Sequence, residues 1–180
     1  MKLFWRMAIF VALISSLLAG PALAWDEAKL KAQVQELFDQ AAASFVKKDV
    51  QAVIATSAPQ GAIKYRDGRT LNMAQWGEGT AKELADWQDV STKFVVEKVW
   101  PKGKDQAGAL YSERHEFTRI SDPDHKHAIS ARFRVVLTQT DKGWRFLEFT
   151  ELSSQFTRDG QPLNLKSAPK KPATAVKPQG

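Results

Sequence analysis

The chain has 180 residues, no cysteine and a formal net charge of +6. Its length suits one domain with a modest core, and the absence of cysteine excludes disulfides, thiolate metal sites and a catalytic thiol. The excess of positive charge lies at the two ends of the chain, in Lys2, Arg6 and four lysines after residue 165. The central part of the chain is therefore neutral, and we do not expect it to bind nucleic acid.

Residues 1–24 have the three parts of a secretory signal peptide. Two basic residues lead, an apolar stretch follows over residues 7–18, and Ala22 and Ala24 supply small side chains at the cleavage site. The apolar stretch is shorter than the roughly 20 residues of a spanning helix, so a retained anchor is the less favoured alternative. We expect cleavage after Ala24, a periplasmic location and no stable membrane insertion of the mature protein.

The first elements after this segment are predicted helices. Apolar residues recur at three- and four-residue spacing over residues 26–47, which is typical of one buried helix face. Asp49 can cap a second, short helix, and Pro59 and Gly61 end it.

A turn and a third helix are predicted next. Ile63 and Tyr65 lead into the turn signal Asp67-Gly68. Asn72 can cap a helix that ends near Trp87, with a later start near Thr80 as the alternative.

From Asp89 onward the apolar period changes to two, which indicates strands. The predicted strands are 90–100, 107–120, 127–139 and 144–157, with SDPDHK as a loop after the second. Short connections between consecutive strands predict an antiparallel meander, and strands this long need strong twist or bulges. The expected fold class is α+β: a cone of three N-terminal helices packed on a strongly bent antiparallel sheet with a four-stranded C-terminal meander.

After Leu165 the chain is rich in lysine and proline and has little to bury. Residues 166–180 are therefore predicted to be a disordered tail, so the folded domain spans residues 25–165. Solubility is the simpler role of the tail, and weak contact with anionic envelope polymers or lipid headgroups is the alternative.

Two groups of side chains could carry acid–base chemistry. Tyr111, Glu113 and His115 share one face of the second strand, where Glu113 could orient or charge His115 as a general acid or base. The simpler interpretation is a strand whose charged residues face water. Glu148 lies among aromatic residues on the last strand and could act as a base; a salt bridge to Arg132 or Arg134 is the simpler expectation.

One loop contains acidic and histidine side chains together, namely Asp122, Asp124, His125 and His127. Their spacing matches no metal-ligand motif, and Asp-Pro-Asp is ordinary turn chemistry, so no metal site is predicted. The sequence also contains no cofactor motif, and no cofactor is expected.

The order of elements resembles the nuclear transport factor 2-like superfamily, and most closely its SnoaL-like branch. The resemblance covers about residues 26–157. It is carried by the segment FVKKDVQAVIATSAP, the Asp67-Gly68 turn and the segment RFRVVLTQTDKGWRFLEF. It implies a sheet wrapped around the first helix, with an apolar pocket at its open end. The family includes isomerases, dehydratases, cyclases and non-catalytic binding modules. Many SnoaL-like members have a histidine near the end of the last strand, where this chain has Phe149-Thr150-Glu151, which argues against their chemistry.

The sequence therefore predicts an exported module that binds a small apolar or aromatic ligand. The alternative is a cofactor-independent lyase or isomerase that transfers a proton through a pocket carboxylate, His or Tyr, and the sequence leaves open whether any catalysis occurs. A third class is an interaction protein that pairs through its sheet. The catalytic candidates are Glu113, His115 and Glu148, and the ligand-binding candidates are Tyr65, Trp76, Trp87, Tyr111, Arg132 and Arg134.

Apolar residues on both faces of the strands predict a homodimer through the sheet face that the helices leave uncovered. Phe146, for example, is expected to project to one face, and Leu147 and Phe149 to the other. The alternative is that the sheet curls enough to bury both sets within one chain.

Overall fold

The computed structural model describes residues 26–163. Its helices are α1 (Glu27–Val46), α2 (Val50–Ile54) and α3 (Met73–Ala85). Its strands are β1 (Ser57–Lys64), β2 (Thr70–Asn72), β3 (Trp87–Pro101), β4 (Gln106–Arg119), β5 (Asp122–Thr140), β6 (Gly143–Arg158) and β7 (Gln161–Pro162). The predicted signal peptide 1–24 and the predicted tail 166–180 lie outside the described residues. Within the described part, no helix is long and apolar enough to cross a membrane.

Each helix begins at a side chain that caps it. Asp26 accepts a hydrogen bond from the Lys29 backbone N–H at 2.9 Å, and Asp49 caps α2 as predicted. Asn72 and Gln75 form a reciprocal capping box, so α3 begins at Met73 and the later start near Thr80 is wrong.

The sheet has the strand order β2-β1-β6-β5-β4-β3, with β7 paired to β6. The predicted antiparallel meander is confirmed for β3 to β6. The sheet as a whole is mixed rather than antiparallel, because β1 runs parallel to β6. Pro59 and Gly61 lie inside β1, where the register with β6 shifts, and such an irregularity tolerates a proline within a strand.

The turn between β4 and β5 is shorter than predicted. Arg119 pairs directly with Asp122, so most of the SDPDHK segment belongs to the irregular start of β5 and not to a loop.

Bulges bend the sheet and change which side chains face inward. Leu147 is an extra residue between Phe146, which pairs with Leu137, and Glu148, which pairs with Val136. Phe146 and Phe149 are therefore both buried on the inner face, and the prediction that they face opposite ways is wrong.

Helix α1 lies in the concave side of the bent sheet. Its buried face is Leu30, Val34, Leu37, Phe38, Ala41 and Phe45. The Gln35 side chain accepts from Val96 N–H at 2.9 Å and donates to Phe94 O at 3.1 Å, which satisfies backbone groups of the edge strand β3. The predicted α+β cone is confirmed.

Candidate functional site

A cavity of about 430 Å³ lies between α1, α3, the β1–β2 hairpin and the inner face of β3 to β6. This volume falls in the range of small-molecule sites, roughly 300–1,000 Å³. The hairpin that borders the cavity turns at Asp67-Gly68, as predicted, with Gly68 at φ +88°. The lining residues used below are Phe38, Phe45, Ser57, Tyr65, Arg66, Asp67, Arg69, Trp76, Tyr111, Glu113, Phe133, Phe149, Glu151, Ser154 and Phe156.

Aromatic rings that pack on one another form most of the cavity wall. The Phe38 ring centroid lies 4.2 Å from that of Tyr111 and 4.7 Å from that of Phe146. Tyr111 stacks on Phe133 with centroids 5.4 Å apart, and Trp76 meets Phe45 edge-on at 6.0 Å. Because these rings fix each other, the wall is formed before any ligand arrives.

Glu113 places a carboxylate in this apolar wall, with its side chain 16% exposed. Tyr111 beside it is fully buried. Burial raises the pKa of the Tyr111 phenol well above its usual value, and the charge of Glu113 and a hydrogen bond to it raise that pKa further. The phenol therefore stays protonated at neutral pH and donates to the carboxylate.

His115 is adjacent to Glu113 but does not line the cavity. Its Nε2 is 3.6 Å from Glu113 Oε1, and its Nδ1 is 3.0 Å from Thr92 Oγ1. The ring packs against the aromatic rings of Phe45 and Trp87, among others. The two candidates are therefore adjacent, but only Glu113 faces the cavity.

Tyr65 stands at the cavity mouth, next to the hairpin turn. Burial raises the pKa of its phenol; Arg69 lowers it, and the charges of Glu151 and Glu113 raise it. The Arg69 guanidinium lies over the Tyr65 ring at 4.9 Å and pairs with Asp67 at 2.6 Å.

Two further polar groups meet the cavity, and sequence reasoning did not identify either. Glu151 accepts a hydrogen bond from the Arg66 backbone N–H at 3.2 Å, which ties β6 to the hairpin. Ser57 Oγ is buried and has no hydrogen-bond partner among the described residues. Neither had a sequence signal, because both depend on pairing between β1 and β6.

The structure brings together four of the residues selected from the sequence: Tyr65, Trp76, Tyr111 and Glu113. The interpretation of β4 as a strand with water-facing charges is wrong for this face, because Tyr111, His115 and Phe117 are buried there. Trp87 does not line the cavity; it lies in the core, stacked on Phe117 with centroids 3.8 Å apart.

The remaining three candidates lie outside the cavity, on the outer side of the sheet. Glu148 pairs with Lys64 at 2.8 Å, and Arg132 pairs with Glu97, so the expected bridge between Glu148 and either arginine does not form. Arg134 lies beside Leu110 on β4 and faces away from the helices. The bulge at Leu147 explains the change at Glu148, since it turns this side chain outward.

Three of the four residues in the predicted cluster near the β4–β5 turn, Asp122, His125 and His127, form hydrogen-bonded pairs. Asp122 accepts from His127 Nε2 and from Arg158, each at 3.0 Å, while His125 pairs with Asp159 at 2.5 Å. Asp159 has its pKa lowered mainly by the hydrogen bond from His125. Within residues 26–163, no three His, Asp or Glu side chains are grouped as a metal site would need.

No family model matches the sequence, and no curated protein matches it. Solved structures match the fold. A ketosteroid isomerase-like protein from Erwinia carotovora atroseptica has a TM-score of 0.54 and 15% identity, over 68% of this chain and 96% of its own. A nuclear transport factor 2-like superfamily protein from Salmonella enterica has a TM-score of 0.57 and 14% identity, over 69% and 90%. A proposed scytalone dehydratase from Novosphingobium aromaticivorans has a TM-score of 0.61 and 6% identity, over 76% and 93%. The chain has the fold of the nuclear transport factor 2-like superfamily.

Proposed function

We propose that this protein binds a small, largely apolar molecule that contains at least one ring, with a polar group of that molecule directed at Glu113. The observation that carries the proposal is the cavity of about 430 Å³, whose walls are mostly aromatic and whose lining includes the carboxylates of Glu113 and Glu151 and the phenols of Tyr65 and Tyr111. Small-molecule sites are usually mostly apolar and contain a few polar groups.

Blocking the cavity tests this proposal. Ala41 is buried on α1 and lines the cavity, whereas Ala43 is exposed on the same helix. A neutral aromatic probe such as naphthol should raise the melting temperature of the wild type and of Ala43→Leu, but not of Ala41→Leu. Melting without probe shows that both variants fold. An equal shift in all three proteins would contradict binding in this cavity.

A second function, proton transfer in an isomerase or lyase, is favoured by one arrangement. Glu113 can remove a proton from a carbon next to a carbonyl, and Tyr65, whose pKa is raised, keeps its proton and can hydrogen-bond to the carbonyl oxygen. The neighbours described as ketosteroid isomerase-like and as a scytalone dehydratase agree with either function.

Deuterium exchange separates the two functions. A small cyclic ketone in heavy water should exchange the hydrogens next to its carbonyl faster with the wild type than with Glu113→Gln. Glu148→Gln, on the outer side of the sheet, is the matched control. Catalysed exchange that survives Glu113→Gln would rule out this role while leaving the binding function intact.

We also propose that the protein is exported and forms a homodimer through the outer face of the sheet. The apolar residues that support the dimer are fewer than predicted, because Phe149 lies inside. Val95, which is 42% exposed, and the partly exposed Leu110 and Val136 remain on the outer face.

A further inference from the structure

We infer that the cavity selects a ligand that carries a protonated amine, held between Glu113 and Glu151. The inference rests on the proposed function, because it names the charge of the molecule that the cavity binds.

The charged residues that line the cavity differ in exposure. Arg66, Asp67 and Arg69 are exposed on the hairpin turn at the mouth, where Arg69 and Asp67 neutralise each other at 2.6 Å. Glu113 and Glu151 are part-buried on the inner faces of β4 and β6. Among the lining residues, no Lys, Arg or His is part-buried as these two carboxylates are.

Carboxylates on the two sides of the sheet differ in their partners. On the outer side, Glu97, Glu116 and Glu148 each pair with an arginine or lysine at 2.8 Å or less. In the cavity, Glu151 has only the Arg66 backbone N–H, at 3.2 Å. Glu113 has the Tyr111 phenol and, at 3.6 Å, the ring of His115. Within residues 26–163, neither inner carboxylate pairs with a lysine or arginine, so a ligand cation would supply the missing partner.

The surface between the two carboxylates is aromatic. Glu151 lies opposite Phe133 on β5, and Phe133 lies opposite Tyr111 on β4, two residues from Glu113. Phe133 and Tyr111 stack with centroids 5.4 Å apart. Aromatic rings attract an ammonium group through their negative faces, and this attraction adds to that of the carboxylates when water is excluded.

Both carboxylates act on the same region of the cavity. The pKa of Tyr65 is raised by the charge of Glu151 and also by that of Glu113, after the larger effect of burial. A positive group near Tyr65 would therefore be attracted by both side chains. Arg69 already occupies the outer part of this region, over the Tyr65 ring.

Three probes of matched shape test the inference: naphthylethylamine, naphthylethanol and naphthylpropionate. Binding is measured by calorimetry at about pH 8, where histidine is mostly neutral and the amine is charged. The amine should bind at least about tenfold more tightly than the alcohol, and the propionate more weakly than both. Glu113→Gln and Glu151→Gln should each reduce the ratio of amine affinity to alcohol affinity. Glu148→Gln should leave this ratio unchanged.

The outcomes separate this inference from the proposed function. If the alcohol binds as tightly as the amine, or the propionate binds most tightly, the inference is overturned and the binding function stands. A preference for the amine that persists in both glutamine variants overturns the inference as well, because the charge would then be recognised elsewhere. If the wild type binds none of the three probes, both proposals fail.

Discussion

The protonation of Tyr111 gives a direct measure of the electrostatics of the cavity. The chain contains only two tyrosines, Tyr65 and Tyr111, so each can be assigned with one substitution. Burial, followed by the charge and hydrogen bond of Glu113, raises the pKa of Tyr111 well above 10.0. In the unfolded chain this phenol ionises near pH 10. Its contribution to stability is thus complete below about pH 10 and is lost as the pH rises towards the folded-state pKa.

The magnitude follows from one proton. Above about pH 10 the unfolded chain has released this proton and the folded protein still holds it, so the free energy of unfolding should fall by about 1.4 kcal/mol per pH unit. Tyr111→Phe removes this dependence and keeps the ring that packs on Phe38 and Phe133. Urea unfolding of the wild type and of this variant, followed by tryptophan fluorescence between about pH 9 and pH 11.5, measures the difference in slope.

Tyr65→Phe is the control, because this variant keeps Tyr111 and should therefore keep the fall in the free energy of unfolding with pH that Tyr111 causes. Glu113→Gln should lower the pKa of Tyr111 only in part, since burial is its largest cause. Equal slopes for the wild type and Tyr111→Phe would refute this account of the cavity. So would a phenolate absorbance of the folded protein at about pH 10 equal to that of the unfolded chain.

Four further predictions concern stability, processing and assembly. A Cβ at Gly79 on α3 would lie in open space, so Gly79→Ala should stabilise the protein by about 0.5–1 kcal/mol. A Cβ at Gly77 would overlap the Ile54 side chain, so Gly77→Ala should be at least about 1 kcal/mol less stable than Gly79→Ala. Equal stabilities of the two variants in urea would contradict this. N-terminal sequencing of the exported protein should begin at Trp25, and an intact N-terminus in a membrane fraction would refute cleavage. Deleting residues 166–180 should leave the melting temperature nearly unchanged, and a drop of several degrees would show that the tail packs on the domain. Sedimentation equilibrium at micromolar concentration should detect a dimer, and a monomer without concentration dependence would exclude it.

The features that the sequence predicted correctly are decided over a few residues. Asp49 and Asn72 cap helices because their side chains reach backbone N–H groups three residues later. The turn at Asp67-Gly68 needs only a glycine with positive φ at that position. Consecutive strands with short connections most often pair as neighbours, and for that reason the meander could be derived without knowledge of the rest of the fold.

The inward face of each strand was not predictable, because a bulge reverses the alternation of the residues that follow it up to the next bulge. Leu147 is such a residue: beyond it, Phe149 and Glu151 face the cavity and Glu148 faces outward. Nothing in the local sequence distinguishes Leu147 from an ordinary strand residue. The bulge lies where β6 pairs with β5 on one side and with β1 on the other, contacts that are distant in sequence.

The reversal of strand faces at the bulge also affects how the net charge of the domain is interpreted. Summed along the sequence, the domain is neutral, and this sum suggests a surface without a preferred partner. The sheet divides the charges in space: Glu113 and Glu151 face an apolar cavity, while Glu148 joins Lys64 outside. A carboxylate beside aromatic rings in a part-buried site attracts a cation more strongly than a carboxylate fully surrounded by water. The recognition property of the cavity thus depends on which face each glutamate occupies, and that depends on the bulges.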